Sequence, residues 1–155
     1  MTSKVLLAPY FEGNQYLEML NSHLNEHDME TVRELHSHPL WPFVFTALRS
    51  KVDTLHLHWT HPYFLLGDHS DFEQLPLSGI VSAIFAFVFV GQVWLCSLLG
   101  IRVIWTVHNQ SNHERRHASI DRWVSRRIVN VADAVQVWDE RTERELESYL
   151  DTRLQ

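Results

Sequence analysis

The sequence contains very little cysteine, glycine and proline. One cysteine, Cys96, occurs in 155 residues, which excludes a disulfide framework or a cysteine-based zinc ribbon and favours a reducing compartment. Five glycines and five prolines, in a chain that is 45% hydrophobic, exclude collagen-like structure and general disorder. The apolar stretch Val5–Ala8 is too short for a signal-peptide core. We therefore expect one globular domain over residues 4–150, located in the cytoplasm.

Basic residues are missing from about a third of the chain, since residues 53–101 contain four acidic residues and no lysine or arginine. The net charge is −6, and the part that is basic is 102–130, with six arginines against two acidic residues. Nucleic-acid-binding proteins usually present a net basic surface, so the charge disfavours nucleic acid as a partner. Residues 102–130 suit either a local anionic ligand or a solvated helix face.

Apolar runs of strand length alternate along the chain with stretches of helical periodicity. This alternation predicts an α/β, Rossmann-like fold with a mostly parallel sheet and helices on both faces. The predicted strands are Lys4–Pro9, Glu30–Leu35, Thr54–Trp59, Arg102–Val107 and Ala134–Trp138. The predicted helices are Asn14–Asn25, Pro39–Leu48, Leu77–Leu99, one that begins near Glu114, and Arg141–Leu150. Asn14 is the expected N-cap of the first helix.

The longest uncharged segment lies between Glu73 and Arg102, and its apolar run Ile80–Gly100 is long enough to cross a bilayer. Ser82 and Gln92 interrupt this run, and it leads directly into a predicted strand. We therefore expect a buried crossover helix that the sheet and neighbouring helices cover on all sides. Peripheral contact with the cytoplasmic face of a membrane stays open as an intermediate interpretation.

Arginines gather along one side of the helix that follows the fourth strand. Arg115, Arg122 and Arg126 share a helical stripe, and Arg116 and Arg127 flank it. Guanidinium groups match phosphate geometry. This ridge is therefore a predicted contact for an anionic membrane surface or, through Arg115 and Arg116, for the phosphate of a lipid-linked acceptor.

Histidine is abundant, with eleven residues, and several histidines lie at the ends of predicted strands. His58 shares a strand face with His56, and His61 lies just beyond that strand. His108 and Asn109 end the next strand. Ligands of open α/β sheets bind beyond the carboxyl ends of the strands, so these side chains are predicted to form one site if the two strands are neighbours. For each histidine taken alone, a buried and hydrogen-bonded core position is the alternative.

The segment His113–His117 has the spacing H-E-x-x-H, in which two histidines of metalloproteases hold zinc and the glutamate is the general base. Both variable positions are arginines here, which repel a metal ion and resist burial. No histidine follows His117 in the sequence to supply a third ligand. We therefore expect no metal and no other cofactor, and we keep a zinc hydrolase acting through His113, Glu114 and His117 as a minor alternative.

Four segments in order resemble a known enzyme family: PYFEGNQYLEML, DTLHLHW, LLGIRVIWTVHN followed by HERRH, and VADAVQVWDERT. They are similar to the N-terminal half of GT-B glycosyltransferases, more narrowly to the nucleotide-sugar-dependent retaining enzymes of family 4. The resemblance covers residues 4–150, and GIRVIWTVHN is its most specific part. It implies a Rossmann-like domain that binds the acceptor, which is a glycan or a lipid-linked sugar.

The resemblance also implies roles for individual residues. His108 is the expected catalytic residue, because an imidazole at a strand end can hydrogen-bond a sugar hydroxyl or share developing charge. The turn that ends at Tyr16 would lie at the cleft between the two domains. The residues expected to bind the acceptor are Gly13, Asn14, His58, His61, Asn109, Arg115 and Arg116.

The sequence also departs from that family. The C-terminal domain that binds the sugar nucleotide has no counterpart, and the single Gly13 stands where many relatives have two glycines. We therefore expect a truncated enzyme or one half of a split enzyme, which is inactive alone and meets the nucleotide-sugar through a separate domain or subunit. A non-catalytic partner subunit of a split glycosyltransferase is the second hypothesis.

Overall fold

The computed structural model describes residues 2–35, 43–65, 78–108 and 117–153. The strands are Ser3–Ala8 (β1), Met29–Arg33 (β2), Thr54–Leu57 (β3), Arg102–Thr106 (β4) and Ala134–Gln136 (β5). The α-helices are Gln15–Glu26 (α1), Phe43–Ser50 (α2), Ser78–Leu98 (α3), Ala118–Val129 (α4) and Glu140–Leu150 (α5), and His61–Tyr63 form a 3-10 turn. All five predicted strands and all five predicted helices are therefore present.

The five strands form one parallel sheet in the order β2-β1-β3-β4-β5. Leu7 of β1 pairs with His56 of β3, which pairs in turn with Ile104 of β4. The predicted α/β fold with a parallel sheet is thereby confirmed. Because β3 and β4 are direct neighbours, their carboxyl ends open at the same place on the sheet edge.

Helices cover both faces of the sheet, as the sequence predicts. Side chains of a strand point alternately to opposite faces. Leu6 and Ala8 of β1 belong to the main core with α2, α3, α4 and α5, whereas Val5 and Leu7 pack with Leu17 of α1. Four helices therefore build the core on one face, and α1 packs on the other.

The start of α1 follows the predicted capping pattern. The side-chain oxygen of Asn14 accepts a hydrogen bond from the Leu17 backbone N–H at 3.2 Å. Gly13 has a φ of +78°, which favours glycine, and its N–H donates to the Glu18 carboxylate at 3.0 Å. Asn14 is thus the N-cap of α1, and the turn at Gly13 sets the direction in which the helix leaves the sheet edge.

The prediction that α3 is covered on all sides is wrong. Its inner face carries Ala86, Phe89, Val93 and Cys96 into the main core. Its outer face is exposed, and Phe87 keeps 72% of its surface accessible. Of the helices in the described ranges, α3 is the one that is long and apolar enough to cross a membrane. The helices α2 and α4 contact its flanks, which leaves the side opposite the sheet open.

The helix expected to begin near Glu114 begins at Ala118. His117 precedes it with a φ of +49°, in the left-handed region, so the right-handed helix cannot extend back through this residue. The predicted apolar stripe of this helix is confirmed, since Val124 and Ile128 are buried in the main core and Trp123 packs against it.

Candidate functional site

The candidate site lies at the carboxyl ends of β3 and β4, where two histidines meet. His58 follows the last residue of β3, and His108 comes two residues after β4. Nδ1 of His58 and Nε2 of His108 are 3.3 Å apart. His58 is 2% exposed, while His108 is half-buried and reaches the surface. The predicted convergence of these two strand ends is confirmed.

The histidines of the site are neutral at physiological pH. Burial, together with the neighbouring imidazoles of His56 and His108, lowers the pKa of His58 to about 2. Burial, with a smaller contribution from His108, lowers the pKa of His56 to about 4. Desolvation also lowers the pKa of His108. Each ring therefore has one N–H donor and one bare nitrogen acceptor.

The contact between the two rings indicates where each proton lies. Within the described part of the chain, Nε2 of His58 is buried and has no hydrogen-bond partner. A buried orphan N–H is rarer than an under-satisfied acceptor, so we assign the proton of His58 to Nδ1, from which it is donated to Nε2 of His108. His108 then carries its own proton on Nδ1. This N–H is the donor that the pair can offer to a ligand.

A second set of polar contacts lies next to the pair formed by His58 and His108. Nε2 of His56 lies 2.8 Å from Oγ1 of Thr106, and this hydroxyl donates to Oε1 of Gln136 at 3.1 Å. The Tyr16 side chain also lies next to the Thr106 hydroxyl. Residues of β3, β4 and β5 are therefore joined through one threonine at the carboxyl edge of these three adjacent strands.

Aromatic rings frame His108. Trp59 stacks on its imidazole with centroids 4.2 Å apart and an angle of 13° between the planes, and Tyr16 meets it edge-on at 4.8 Å. Trp138 lies 5.8 Å away and is exposed, and Phe11 packs on the far side of Trp59 at 5.6 Å. The site thus combines an imidazole donor with exposed aromatic surface on several sides.

The other predicted site residues have different positions. Asn14 uses its side-chain oxygen to cap α1, and the turn with Gly13 contributes by bringing Tyr16 to the histidines. His61 begins the 3-10 turn, whose Tyr63 packs in the main core. Three predicted residues lie outside the described ranges, namely Asn109, Arg115 and Arg116.

Two arginines of the predicted ridge have contacts within the protein. Arg126 donates through Nε to the Leu150 carbonyl oxygen and lies 3.6 Å from the Asp151 carboxylate. The guanidinium of Arg122 lies over the Tyr149 ring at 5.8 Å. Both arginines therefore fasten α4 to the end of α5, whereas Arg127 is exposed, and contact of the ridge with phosphate stays a prediction. Helical periodicity gives the direction of a side chain but not the neighbour that it meets.

The H-E-x-x-H segment is described only at its last residue. His113 and Glu114 lie outside the described ranges, and His117 has a left-handed backbone conformation just before α4. The metalloprotease arrangement places both histidines in one helix, which His117 does not fit. In the part of the chain that the structure covers, no group of three histidine, cysteine or carboxylate side chains is arranged to hold a metal ion.

Sequence reasoning misses several contributors to the site. Helical periodicity assigns Tyr16 to a core stripe, although its ring and hydroxyl face the histidines and Thr106. The period of two along a strand offers a signal for the rest. It places Thr106 on the same face as His108, and Gln136 on the same face as Trp138.

Comparison with known proteins adds no assignment. The sequence matches no protein-family model, and it matches no curated protein either. The functional interpretation therefore depends on the chemistry of the histidine site and on the resemblance of its sequence segments.

Proposed function

We propose that this chain is the acceptor-binding half of a nucleotide-sugar-dependent glycosyltransferase of the GT-B type, retaining by its resemblance to family 4. The acceptor is a glycan or a lipid-linked sugar, and the nucleotide-sugar is held by a separate domain or subunit. The α/β fold with a parallel sheet agrees with this proposal. Such a fold serves many functions, so the support comes from the site itself.

The observation that carries the proposal is the donor N–H of His108 within an aromatic frame. A sugar ring presents C–H groups on its faces and hydroxyls around its rim. The exposed Trp138 and the half-buried Tyr16 offer ring surface to the C–H groups, while Trp59 stacks on the imidazole of His108 and holds it in place. His108 offers one donor to a hydroxyl oxygen. A neutral, partly exposed site of this kind suits an uncharged polar ligand better than an anion.

The tautomer also limits what His108 can do in the reaction. Sugar transfer forms a bond between the acceptor oxygen and the anomeric carbon and breaks the bond from that carbon to the nucleotide phosphate. With Nε2 occupied by His58, the free nitrogen of His108 carries a proton, so it acts as a donor and not as the base that removes the acceptor proton. The proton of the attacking hydroxyl passes instead to the phosphate oxygen that leaves the anomeric carbon. The His108 N–H can stay hydrogen-bonded to an acceptor hydroxyl and hold the acceptor in line for attack, and misplacement of a reacting group can cost about 100-fold in rate.

Binding of saccharides to the purified full chain tests this proposal. On a glycan array, we expect selective binding to a small set of sugars, and tryptophan fluorescence titration with the best soluble sugar should reproduce it. His108→Ala and Trp138→Ala should each weaken this binding at least tenfold, because each removes a group that touches the sugar. His23→Ala, an exposed histidine of α1, is the matched control and should bind normally. Normal binding by His108→Ala would contradict the assigned site.

Titration with nucleotide-sugars tests the half-enzyme assignment. Calorimetry with a panel of uridine, guanosine and adenosine diphosphate sugars should detect no affinity for the chain alone, because the donor site belongs to the other half. Micromolar binding of any of them would contradict this assignment. Elemental analysis should find no stoichiometric zinc; one zinc per chain, lost in His117→Ala, would favour the zinc hydrolase instead.

A second candidate function is a non-catalytic partner subunit of a split glycosyltransferase. It is favoured by the outer strand β5, which pairs with β4 alone among the described strands and exposes Ala134, Gln136 and Trp138. Open edges of this kind can pair with another chain. Reconstitution with a donor-binding subunit separates the two functions. His108→Ala should lower transfer about 100-fold if the histidine is catalytic and leave it unchanged if the chain is only a partner.

A further inference from the structure

The outer face of α3 is an apolar surface along the whole helix. Its exposed apolar side chains recur at helical spacing and form one stripe, here named the α3 stripe, which consists of Ile80, Ile84, Phe87, Trp94 and Leu98. The helix has 21 residues and is therefore about 30 Å long. Single exposed apolar residues are common on protein surfaces, but a continuous apolar strip of this length marks an interaction site.

The rim of the stripe has the chemistry of a membrane interface. Trp123 of α4 stacks on Phe87 with ring centroids 6.4 Å apart. The Arg127 guanidinium lies over this indole at 5.6 Å and is exposed. From the stripe to its rim, the apolar ring of Phe87 is thus followed by the indole of Trp123 and then by the cation of Arg127. Tryptophan and arginine take these positions at the boundary between acyl chains and phosphate headgroups.

The charge of the surrounding helices is complementary to an anionic surface. The chain as a whole has a net charge of −6, yet α2, α3 and α4 together contain four arginines and one acidic residue. That acidic residue, Asp121, is buried. The arginines are Arg49, Arg122, Arg126 and Arg127. Arg122 and Arg126 also contact α5, and Arg127 is exposed. The two helices beside the stripe, α2 and α4, thus carry a net positive charge in an acidic chain, which together with the apolar stripe suits anionic lipid.

The burial of the inner face of α3 limits the ways in which this helix can contact a membrane. Phe89, Val93 and Cys96 are buried in the main core, and the strands before and after α3 pair directly with each other. A helix that crosses a bilayer would have to leave this core. We infer that the α3 stripe docks the protein on the surface of an anionic lipid bilayer, with α3 in the membrane plane and its outer side chains at the headgroup boundary. The inference uses residues separate from the histidine site and holds with or without sugar transfer.

Vesicle flotation of the full chain tests this inference. The vesicles contain phosphatidylcholine and phosphatidylglycerol in equal parts, or phosphatidylcholine alone. The wild-type protein should float with the anionic vesicles, and high salt should weaken this binding. The double variant Ile84→Ser/Phe87→Ser should bind at least tenfold more weakly. Met19→Ser, which alters a residue of α1 that is 72% exposed like Phe87, is the matched control and should bind like the wild type.

A charge variant separates the two parts of the contact. Arg127→Gln should weaken binding to anionic vesicles about fivefold and leave binding to phosphatidylcholine unchanged, because one basic group near an anionic surface is lost. The altered side chains are exposed, so circular dichroism and thermal melts should match those of the wild type. Quenching of Trp94 fluorescence by brominated lipid gives a second readout that needs no destabilising change and is expected in the wild type.

Four outcomes would overturn the inference. One is equal flotation of the wild type and the double variant, and another is a lack of quenching by brominated lipid. The third is a wild-type dimer in solution that the double variant dissociates while neither protein binds vesicles, since the stripe would then join two copies of this chain. Membranes of expressing cells should release the protein in carbonate; a need for detergent would show instead that α3 spans the bilayer.

Discussion

Two regions of the molecule break, in opposite ways, the rule that apolar side chains are buried and polar ones are exposed. They are the carboxyl edge of β3 and β4 and the outer face of α3. At the sheet edge, His56 and His58 are buried although they are polar; on α3, Phe87 and Trp94 are exposed although they are apolar. The buried histidines have hydrogen-bond and ring contacts within the fold. In the described part of the chain, the α3 stripe is exposed, and its Phe87 has a ring contact with Trp123 at the rim. The first region is therefore held together by contacts within the fold and suits a small ligand, whereas the second suits a large surface from outside.

The largest expected effect contrasts two phenylalanines on α3. Phe89 is fully buried and stacks on Tyr63, while Phe87, two residues earlier, is mostly exposed. Phe89→Ala should lower the free energy of unfolding by about 3–5 kcal/mol, because it leaves a cavity in the main core. Phe87→Ala should change it by less than about 0.5 kcal/mol. Urea denaturation measures both values, and equal losses would mean that the outer face of α3 is covered after all.

The second prediction concerns the stability of the histidine site at low pH. The folded-state pKa values of His56 and His58 lie below the unfolded value of about 6.5, so the unfolded chain binds more protons once the pH falls below that value. Stability should therefore be retained above pH 6.5 and fall below it, by about 4 kcal/mol for the two histidines between pH 8 and pH 5.

Urea denaturation across this pH range measures the loss, and NMR of the ring protons identifies its source. The signals of His56 and His58 should not titrate between pH 8 and pH 5 in the folded protein. Ring titration near pH 6.5, or a flat stability profile, would mean that the site is open to water. The α3 stripe contains no titratable group and should contribute nothing to the profile.

The third prediction removes the hydroxyl that joins the strands beneath the site. Thr106→Val should cost about 1–3 kcal/mol of unfolding free energy, because Nε2 of His56 loses its buried partner while the side-chain volume is retained. Thr106→Ser keeps the hydroxyl and should lose less. Denaturation of the two variants gives the comparison. If serine and valine are equally destabilising, the hydrogen bond to His56 is not what matters at this position.

The smallest effect tests whether Asn14 has a structural or a ligand-binding role. Asn14→Ala should cost about 1 kcal/mol, since it removes the N-cap of α1, whereas Asn14→Asp keeps the cap and should be nearly neutral. Both variants are then titrated with the sugar identified on the array. Weaker sugar binding by a fully folded Asn14→Asp would assign the amide to the acceptor, as the family resemblance implies.

Much of the fold follows from local pattern in the sequence. The run Arg102–Thr106 is rich in β-branched and aromatic residues, namely Val103, Ile104, Trp105 and Thr106, which favour a strand. The alternation of strands and helices then leaves a parallel sheet as the arrangement that buries the strands. The meeting of His58 and His108 follows in turn, because parallel neighbours end at the same edge.

The features that escape the sequence depend on which element covers which. A helix that is apolar all round, such as α3, has the same pattern whether its second face meets protein, lipid or water. Arg126 has the spacing of an exposed ridge, but the end of α5 supplies the Leu150 carbonyl that binds it. Tyr16 belongs to the apolar stripe of α1, yet its ring contacts His58 and His108 at the ends of β3 and β4. Tertiary neighbours decide each of these cases.

The short link between α3 and β4 has a consequence for reach. Three residues separate the two elements, Gly100 turns the chain with a φ of +80°, and the Ile101 N–H donates to the Cys96 carbonyl at 3.0 Å. The position of α3 is therefore closely tied to that of β4, the strand that leads to His108. With α3 on the lipid surface, His108 would lie at a fixed distance from that surface, on the opposite side of the sheet. A dissolved sugar would reach it freely, whereas a lipid-linked sugar would reach it only if the headgroup is long enough to extend past the sheet edge.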